Sequence, residues 1–238
     1  MAASVGDAER HIVEIRKLGR VVATLYCGDA YRIRPTLGWF DADIMDPPYL
    51  FDNRGGGAFR KSRAGANLIV EEELDQGFDT SIINPLLCGA TVVFCHNDQL
   101  ADLLPHLRGN FHRHVTMFWI KPNPSPMRNK HYLADTEPFV HAWSKGHHPV
   151  GDHHDMHRWI TAGTMPAKTF GHPTVKPLSV MKKIVANVNG STICDPFMGT
   201  GSTGIAAVRA GKSFTGIEKN PAHFETAVKR IGDAIATQ

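Results

Sequence analysis

The sequence predicts an α/β fold built on a doubly wound, mostly parallel sheet. Short apolar runs alternate with segments of helical periodicity along most of the chain, and this pattern is typical of parallel strands joined by crossover helices. Acidic residues or glycines follow several of the apolar runs, as expected where ligands bind at the carboxyl ends of strands. Because 238 residues suffice for a full core, we interpret 1–238 as a single domain.

The predicted elements follow in chain order. The first strand is expected at 21–27 and the next at 41–45, with a short helix between them. A strand at 90–95 precedes a helix at 99–108. Strands at 114–120 and 138–144 are expected to pair as the last two strands of the sheet, in antiparallel directions. The remaining elements are a helix at 177–188, a strand before Asp195, a helix at 202–210, a strand before Glu218 and an amphipathic helix at 221–236.

Composition narrows the function classes only slightly. A formal net charge of +3 does not by itself indicate a nucleic-acid-binding protein, so local patches must carry that argument. The four cysteines lie far apart and form no C-x-x-C pair, which indicates free thiols in a reducing compartment and hence a cytoplasmic protein. Residues 1–20 do not resemble a signal peptide, and the most apolar stretch, 82–95, is too short to span a membrane.

A four-residue motif, Asp46-Pro47-Pro48-Tyr49, follows the predicted strand at 41–45. The Asp46 carboxylate only accepts hydrogen bonds, and the two prolines offer carbonyls without N–H donors on a stiff turn. Tyr49 adds a flat ring beside these acceptors. The set suits a planar group that carries an NH2, such as a nucleobase amine. The alternative is an ordinary turn in which Asp46 caps a backbone N–H and Tyr49 packs.

A glycine turn follows the strand before Asp195. Gly199, Gly201 and Gly204 fit the pattern G-x-G-x-x-G, which brings backbone close to a ligand and points helix N–H groups at an anion. Glu218 ends the next apolar run, near the position expected for a carboxylate that binds a ribose. Taken alone, these residues also fit a dinucleotide site.

Together, the two motifs resemble those of the S-adenosylmethionine-dependent DNA amino-methyltransferases. The stretch from Asp195 to Gly201 is similar to the cofactor motif of that family, and Asp46 to Tyr49 to its catalytic motif. The catalytic motif comes first, as in the beta class, and 172–177 resembles a third signature of that class. Weaker similarity covers 119–124 and 137–139. The resemblance implies a circularly permuted Rossmann-like methyltransferase fold, with S-adenosyl-L-methionine as cofactor and double-stranded DNA as substrate.

The resemblance also implies roles for individual residues. Backbone N–H groups of the glycine turn would bind the cofactor's carboxylate, Asp195 its ammonium, Glu218 its ribose and Asp29 its adenine amine, while Thr174 and Lys176 would border its methionine end. The predicted cofactor-binding residues are Asp29, Thr174, Lys176, Asp195, Phe197, Gly199, Thr200, Gly201, Ser202 and Glu218.

The predicted catalytic residues are Asp46, Pro47, Pro48 and Tyr49. Asp46 and the Pro47 carbonyl would accept hydrogen bonds from the amine of a base flipped out of the duplex, and Tyr49 would stack on that base. Family members of this class that methylate adenine N6 carry Asp at the first motif position, and those that methylate cytosine N4 usually carry Ser. We therefore expect adenine, with cytosine as the alternative.

Three loops, at 52–67, 121–132 and 145–170, form a loop-built target-recognition region and are candidates for DNA contact, since loops this long are usually functional or disordered. The interval before the third signature is short for the beta class, so a homodimer is expected to share recognition. The cations predicted to contact DNA are Arg54, Arg60, Lys61, Arg63, Arg128 and Lys130.

Two further alternatives remain open at this point. One is a nicotinamide-dependent oxidoreductase, and the other is a non-catalytic nucleic-acid-binding subunit that has kept the fold. The histidines between His147 and His157 match no zinc-ligand spacing and have no cysteine nearby, so no metal is expected.

Overall fold

A computed structural model describes residues 11–50, 76–124, 132–164 and 175–237. Seven of the predicted site residues lie outside these ranges: Arg54, Arg60, Lys61, Arg63, Arg128, Lys130 and Thr174.

The described residues form nine strands and five α-helices. The strands are β1 (His11–Lys17), β2 (Arg20–Cys27), β3 (Phe40–Met45), β4 (Cys88–Phe94), β5 (Arg113–Ile120), β6 (Thr136–Trp143), β7 (Trp159–Thr161), β8 (Thr192–Asp195) and β9 (Ser213–Glu218). The helices are α1 (Ala30–Ile33), α2 (Leu100–Asn110), α3 (Leu178–Asn187), α4 (Ser202–Arg209) and α5 (Pro221–Ala236). None of these helices has the length and apolarity needed to cross a membrane.

All nine strands belong to one sheet in the order β1-β2-β9-β8-β3-β4-β6-β5-β7. The five strands from β2 to β4 in this order are parallel, while β1 and β6 pair in antiparallel directions with their neighbours β2 and β4. The predicted doubly wound, mostly parallel fold is confirmed. We call the edge formed by the carboxyl ends of the five parallel strands the carboxyl edge.

The two motifs meet at the centre of the carboxyl edge. From β3 the chain continues to β4 on one side, whereas from β8 it continues to β9 on the other. Such a topological switch point opens a crevice where ligands bind in α/β sheets. Pairing of Ala42 with Ile193 and of Asp43 with Cys194 aligns β3 with β8. The residues at the ends of these strands, Asp46 and Asp195, therefore lie in neighbouring positions.

Helices cover both faces of the sheet. On one face α3, α4 and α5 pack side chains such as Val180, Ile205 and Phe224 against the strands. On the other face α1 and α2 contribute Ile33 and Leu103. Every residue of β4 is buried, as expected for a central strand covered on both faces.

Two strands at the edges of the sheet were not predicted. The prediction that 21–27 forms the first strand is wrong in order, because β1 precedes it and pairs with it through a turn at Leu18 and Gly19, both with positive φ. Charged residues separate the apolar positions of β1, which is only half-buried. The predicted antiparallel pairing of β5 with β6 is confirmed, but the three-residue β7 lies outside β5.

Candidate active site

Asp46 and Tyr49 lie in a partly buried network of charges immediately after β3. Oδ2 of Asp46 accepts a hydrogen bond from Nζ of Lys176. The Tyr49 hydroxyl lies 2.9 Å from Oδ1 of Asp46 and 2.7 Å from Oε1 of Glu137. Nζ of Lys176 also contacts Oε1 of Glu137 at 3.0 Å, and Nζ of Lys121 pairs with Oε2 of the same carboxylate at 2.5 Å. We call Asp46, Tyr49, Lys121, Glu137 and Lys176 the Asp46 network.

The topology of the sheet brings these residues together from four segments. Because β6 runs antiparallel to β4, its first residues reach the carboxyl edge and place Glu137 there. Lys121 follows β5, whose end pairs with the start of β6. Lys176 lies just before α3. Residues far apart in the chain thus converge on Asp46.

Burial and charge act against each other in the Asp46 network. Burial disfavours the Glu137 carboxylate, but Lys176 and Lys121 outweigh it and lower the pKa of Glu137 to about 2. Burial raises the pKa of Asp46, an effect that Lys176 opposes and the charge of Glu137 reinforces. The side chain of Lys176 is only 7% exposed, yet its two carboxylate neighbours outweigh burial and raise its pKa. Lys176 is therefore a buried cation.

The sequence predicted only part of this network. Lys176 was predicted to border the cofactor, and the structure places its ammonium on Asp46 and Glu137, above the rings of Phe94 and Tyr49. The Tyr49 ring is half-buried, and its hydroxyl contacts two carboxyl groups. Glu137 and Lys121 were missed as site residues, although the weaker motif blocks at 119–124 and 137–139 contain them.

Asp195 ends β8 in a nearly closed environment, with 2% of its surface exposed. Its Oδ1 accepts a hydrogen bond of 3.0 Å from the N–H of Phe197. Burial is the largest influence on this carboxyl group and raises its pKa to about 7, against opposing hydrogen bonds from Thr203 and Phe197. Among the described residues, no cation pairs with Asp195. It is thus a buried carboxyl group that a ligand cation would stabilise as the carboxylate.

The glycine turn wraps around the start of α4. Gly199 and Gly201 both have left-handed φ, +53° and +86°, which glycine adopts without strain. The N–H of Gly199 donates to Oε2 of Glu218 at 2.8 Å, and that of Gly201 donates to the Met198 carbonyl at 2.9 Å. Of the amides predicted to bind the cofactor's carboxylate, these two are engaged within the protein. Those of Thr200 and Ser202 remain the candidates.

The remaining predicted cofactor residues flank this turn. Phe197 lies between the rings of Tyr31 and Phe78, at centroid distances of 6.1 and 6.5 Å. Oδ1 of Asp29 caps α1 by accepting the N–H of Tyr31 at 2.8 Å, and its side chain is half-exposed. Oε1 of Glu218 accepts the N–H of Asn220 at 2.7 Å, which fixes the direction of the carboxylate.

This chemistry fits S-adenosylmethionine. Asp195 offers a buried carboxyl group with no cation partner among the described residues, which matches an ammonium. The turn before α4 offers amides at a helix start, which match a carboxylate. The ring of Phe197 and the carboxylates of Asp29 and Glu218 match an adenosine.

The histidines at 153–157 lie away from Asp46. Lys183 Nζ donates to the Asp155 carbonyl, and Asn187 Nδ2 donates to the Val150 carbonyl at 2.9 Å. These contacts fix the segment to the second half of α3, which runs from Lys176 toward the opposite edge of the sheet. In the described part of the chain, no three His, Cys, Asp or Glu residues are grouped so that they would hold a metal ion.

Comparison with known proteins agrees with this site. A DNA methylase family model, that of the N6/N4 methyltransferases, matches residues 88–229. The chain is 30% identical over 129 residues to the type II methyltransferase M2.MboI of Moraxella bovis, covering 47% of each chain, and 27% identical over 132 residues to M2.DpnII of Streptococcus pneumoniae, covering 48% of each. The chain thus spans about half the length of these curated relatives.

Solved structures share the fold over most of the chain. A complex of M1.HpyAVI with SAM matches with a TM-score of 0.66 and 26% identity, covering 88% of this chain and 98% of that one. The cytosine-N4-specific PvuII DNA methyltransferase matches with a TM-score of 0.60 and 13% identity, covering 90% and 91%, a likeness of fold alone. The family model matches more than half of the residues of this chain. The chain therefore belongs to the N6/N4 DNA methylase family.

Proposed function

We propose that this protein methylates the exocyclic N6 amine of adenine in double-stranded DNA. The observation that carries the proposal is the position of Asp46 and Asp195 at the ends of the paired strands β3 and β8. One motif that suits a base amine and one that suits a methyl donor thereby share a single crevice. Membership of the methylase family removes the oxidoreductase alternative.

S-adenosylmethionine is the cofactor, and when bound it supplies an electrophilic methyl group on a sulfonium. Asp195 would hold its ammonium, and the amides of Thr200 and Ser202 its carboxylate. Glu218 would accept hydrogen bonds from the ribose hydroxyls, since each carboxylate oxygen accepts two. Phe197 and Asp29 would bind the adenine.

Asp46 and Pro47 act on the base. The nitrogen of a nucleobase amine is a poor nucleophile because its lone pair is delocalised into the ring. Hydrogen bonds from the amine to Asp46 and to the Pro47 carbonyl favour a pyramidal nitrogen and orient its lone pair. The base must leave the duplex to reach these acceptors, at a cost of a few kcal/mol, and the ring of Tyr49 offers it a stacking surface.

The choice of adenine rests on Asp46 as the first residue of its motif. The fold does not decide between the two bases, since a cytosine-N4-specific enzyme shares it. An aspartate at this position is typical of the adenine enzymes that the motif resembles. Methylation of cytosine N4 is the second candidate.

The product identifies the activity. Expression in cells free of DNA methylation, followed by mass spectrometry of nucleosides, is expected to yield N6-methyladenine. The variant D46A is expected to yield none while it still binds the cofactor in calorimetry. Methylcytosine without methyladenine would contradict the choice of base. Absence of both would favour the non-catalytic DNA-binding alternative.

A homodimer and a cytoplasmic location remain predictions. The short recognition interval leaves one subunit little surface with which to read a site, and a two-fold pair would favour a palindromic target. Light scattering of the protein, free and on DNA, tests this idea, and finding monomers alone in both states would rule it out.

A further inference from the structure

The Tyr49 hydroxyl contacts more acceptors than it has protons. It lies 2.9 Å from Oδ1 of Asp46 and 2.7 Å from Oε1 of Glu137. A phenol donates one hydrogen bond, and an ionised carboxylate donates none. With both carboxylates ionised, only one of these two contacts is a hydrogen bond. The other places two oxygen atoms together without a proton.

The two lysines of the Asp46 network do not remedy this deficit. Lys176 donates to Oδ2 of Asp46 and Oε1 of Glu137, and Lys121 donates to Oε2 of Glu137. Both ammonium groups are thus directed at carboxylate oxygens. One additional proton on Oδ1 of Asp46 completes the network, because Asp46 then donates to Tyr49 while Tyr49 donates to Glu137. The geometry is therefore best satisfied by protonated Asp46, which is the form that exists after Asp46 has accepted a proton.

We infer that Tyr49, through its hydroxyl, and Glu137 are positioning residues that prepare Asp46 to take the proton lost by the amine during methylation. This inference rests on the proposed function. In the reaction the amine nitrogen forms a bond to the methyl carbon as the methyl–sulfur bond breaks, and the sulfur keeps that electron pair. The N–H bond then breaks, its electron pair stays on nitrogen, and the proton passes to Oδ1 of Asp46.

Within the network, a proton is favoured on Asp46 over Glu137, because the pKa of Asp46 is raised and that of Glu137 is lowered. Lys176 and Lys121 hold the pKa of Glu137 low, at about 2, so Glu137 remains the acceptor for Tyr49. Burial raises the pKa of Asp46, and the charges of Glu137 and Lys176 act on it in opposite directions. The Asp46 side chain is 25% exposed, which gives the proton a route to water once the product leaves.

In the described part of the chain, two other titratable groups face the network. Asp195 approaches from β8, and its pKa is raised to about 7, chiefly by burial. Cys95 lies just after β4, and burial raises its pKa to about 12, so that its thiol stays neutral. Because Asp195 titrates in the range of the rate–pH profile, that profile is measured at saturating S-adenosylmethionine, whose ammonium would hold Asp195 as the carboxylate.

The variant Y49F separates the hydroxyl from the ring. If Tyr49 acted only by stacking, phenylalanine would preserve the rate. We expect the single-turnover rate of tritiated-methyl transfer to unmethylated genomic DNA to fall about 10- to 100-fold, the range for losing a hydrogen bond to a charged group. Cofactor and DNA affinities should stay within about twofold of wild type. Tyr26→Phe, which removes a hydroxyl from β2, is the matched control. Transfer by Y49F at the wild-type rate would overturn the inference.

The variant E137Q tests the role of charge. Removing the negative charge that raises the pKa of Asp46 should move the acid limb of the rate–pH profile to lower pH, because Asp46 must be ionised to accept the proton. A purely structural role would lower the rate equally at every pH, and such a result would also overturn the inference. Glu14→Gln, on β1, is the control.

Thermal unfolding first establishes that each variant is folded, and if E137Q is not, Y49F alone decides. The two levels of proposal fail differently. Wild-type protein that transfers no methyl group contradicts the proposed function. Active wild type with unaltered Y49F contradicts only the role of the hydroxyl.

Discussion

The Asp195 carboxyl group combines burial with a ligand-binding position. At 2% exposure, it has no cation partner among the described residues, and burial raises its pKa to about 7. An acid with a raised pKa in the folded state favours its protonated form, so its contribution to stability is present at low pH and declines as the pH rises through about 7. A bound ammonium reverses this preference by pairing with the carboxylate. Binding of the cofactor should therefore be linked to loss of a proton from Asp195.

We predict that affinity for S-adenosylmethionine rises with pH. With a pKa of about 7 for Asp195, the dissociation constant should fall roughly tenfold between pH 6 and pH 7.5, as the carboxylate fraction grows. Isothermal titration calorimetry across this range measures the effect. The variant D195N should bind weakly and without this pH dependence. A steep dependence that persists in D195N would assign the titration to another group.

At the scale of elements, α4 packs closely on its neighbours through Gly204. A Cβ atom at this position would lie 2.5 Å from Cδ1 of Ile231 and 2.7 Å from Cε1 of Phe214. The third glycine of the motif thus permits contact between α4, α5 and β9. This packing fixes where α4 begins, and with it the amides proposed to bind the cofactor's carboxylate.

Two glycines in helices provide a matched test of this packing. We expect Gly204→Ala to lower the free energy of unfolding by about 1–3 kcal/mol, the usual cost of overpacking. A Cβ atom on Gly232, in α5, would have open space around it, with no neighbouring side chain within 4 Å. Gly232→Ala should therefore stabilise the protein by about 0.5–1 kcal/mol. Urea denaturation measures both changes. Equal effects of the two substitutions would show that the close approach at Gly204 does not determine the change in the free energy of unfolding.

The central elements could be predicted from sequence because they are continuous apolar runs or have strong helical periodicity. β4 is buried throughout, and α5 shows its apolar face plainly. The edge strand β1 could not be predicted in this way, because it is half-exposed and has charges between its apolar residues. Buried charges were also missed. Arg34 donates to both oxygens of Asp43 at 2.9 Å, a pairing between a helix end and a strand that no local pattern reveals.

In the candidate site, too, some features could be predicted from local sequence patterns and others depend on tertiary structure. The ends of β3 and β8 could be located from motifs, since each motif follows an apolar run directly. The convergence of Glu137 and Lys121 on Asp46 depends on β6 and β5 running antiparallel, so it follows from tertiary structure. The role of Lys176 likewise depends on which partners α3 brings it to.

At the scale of the whole molecule, the stretches that carry the candidate DNA-contacting cations connect to the carboxyl edge. Residues 51–75 lie between Leu50 and Gln76, which form an isolated bridge just after Tyr49. Residues 125–131 belong to the connection from the end of β5 to the start of β6, and these two strand ends reach the carboxyl edge. The attachment points of both stretches are thus on the same side of the sheet as Asp46. A duplex whose base reaches Asp46 would approach this side of the sheet, where both attachment points lie.

We predict that cations of the 52–67 loop neutralise DNA phosphates. Replacing Arg60 and Lys61 with glutamine should weaken DNA binding and reduce the slope of log affinity against log salt by roughly one unit for each phosphate no longer neutralised, because every neutralised phosphate releases counterions. Arg108 and Arg113, near the end of α2 and the start of β5 at the opposite edge, provide a control of equal charge. Fluorescence anisotropy on duplex DNA from about 50 to 200 mM salt measures both slopes. An unchanged slope for the loop variant, or an equal decrease for the control, would show that the bound duplex does not lie along this loop.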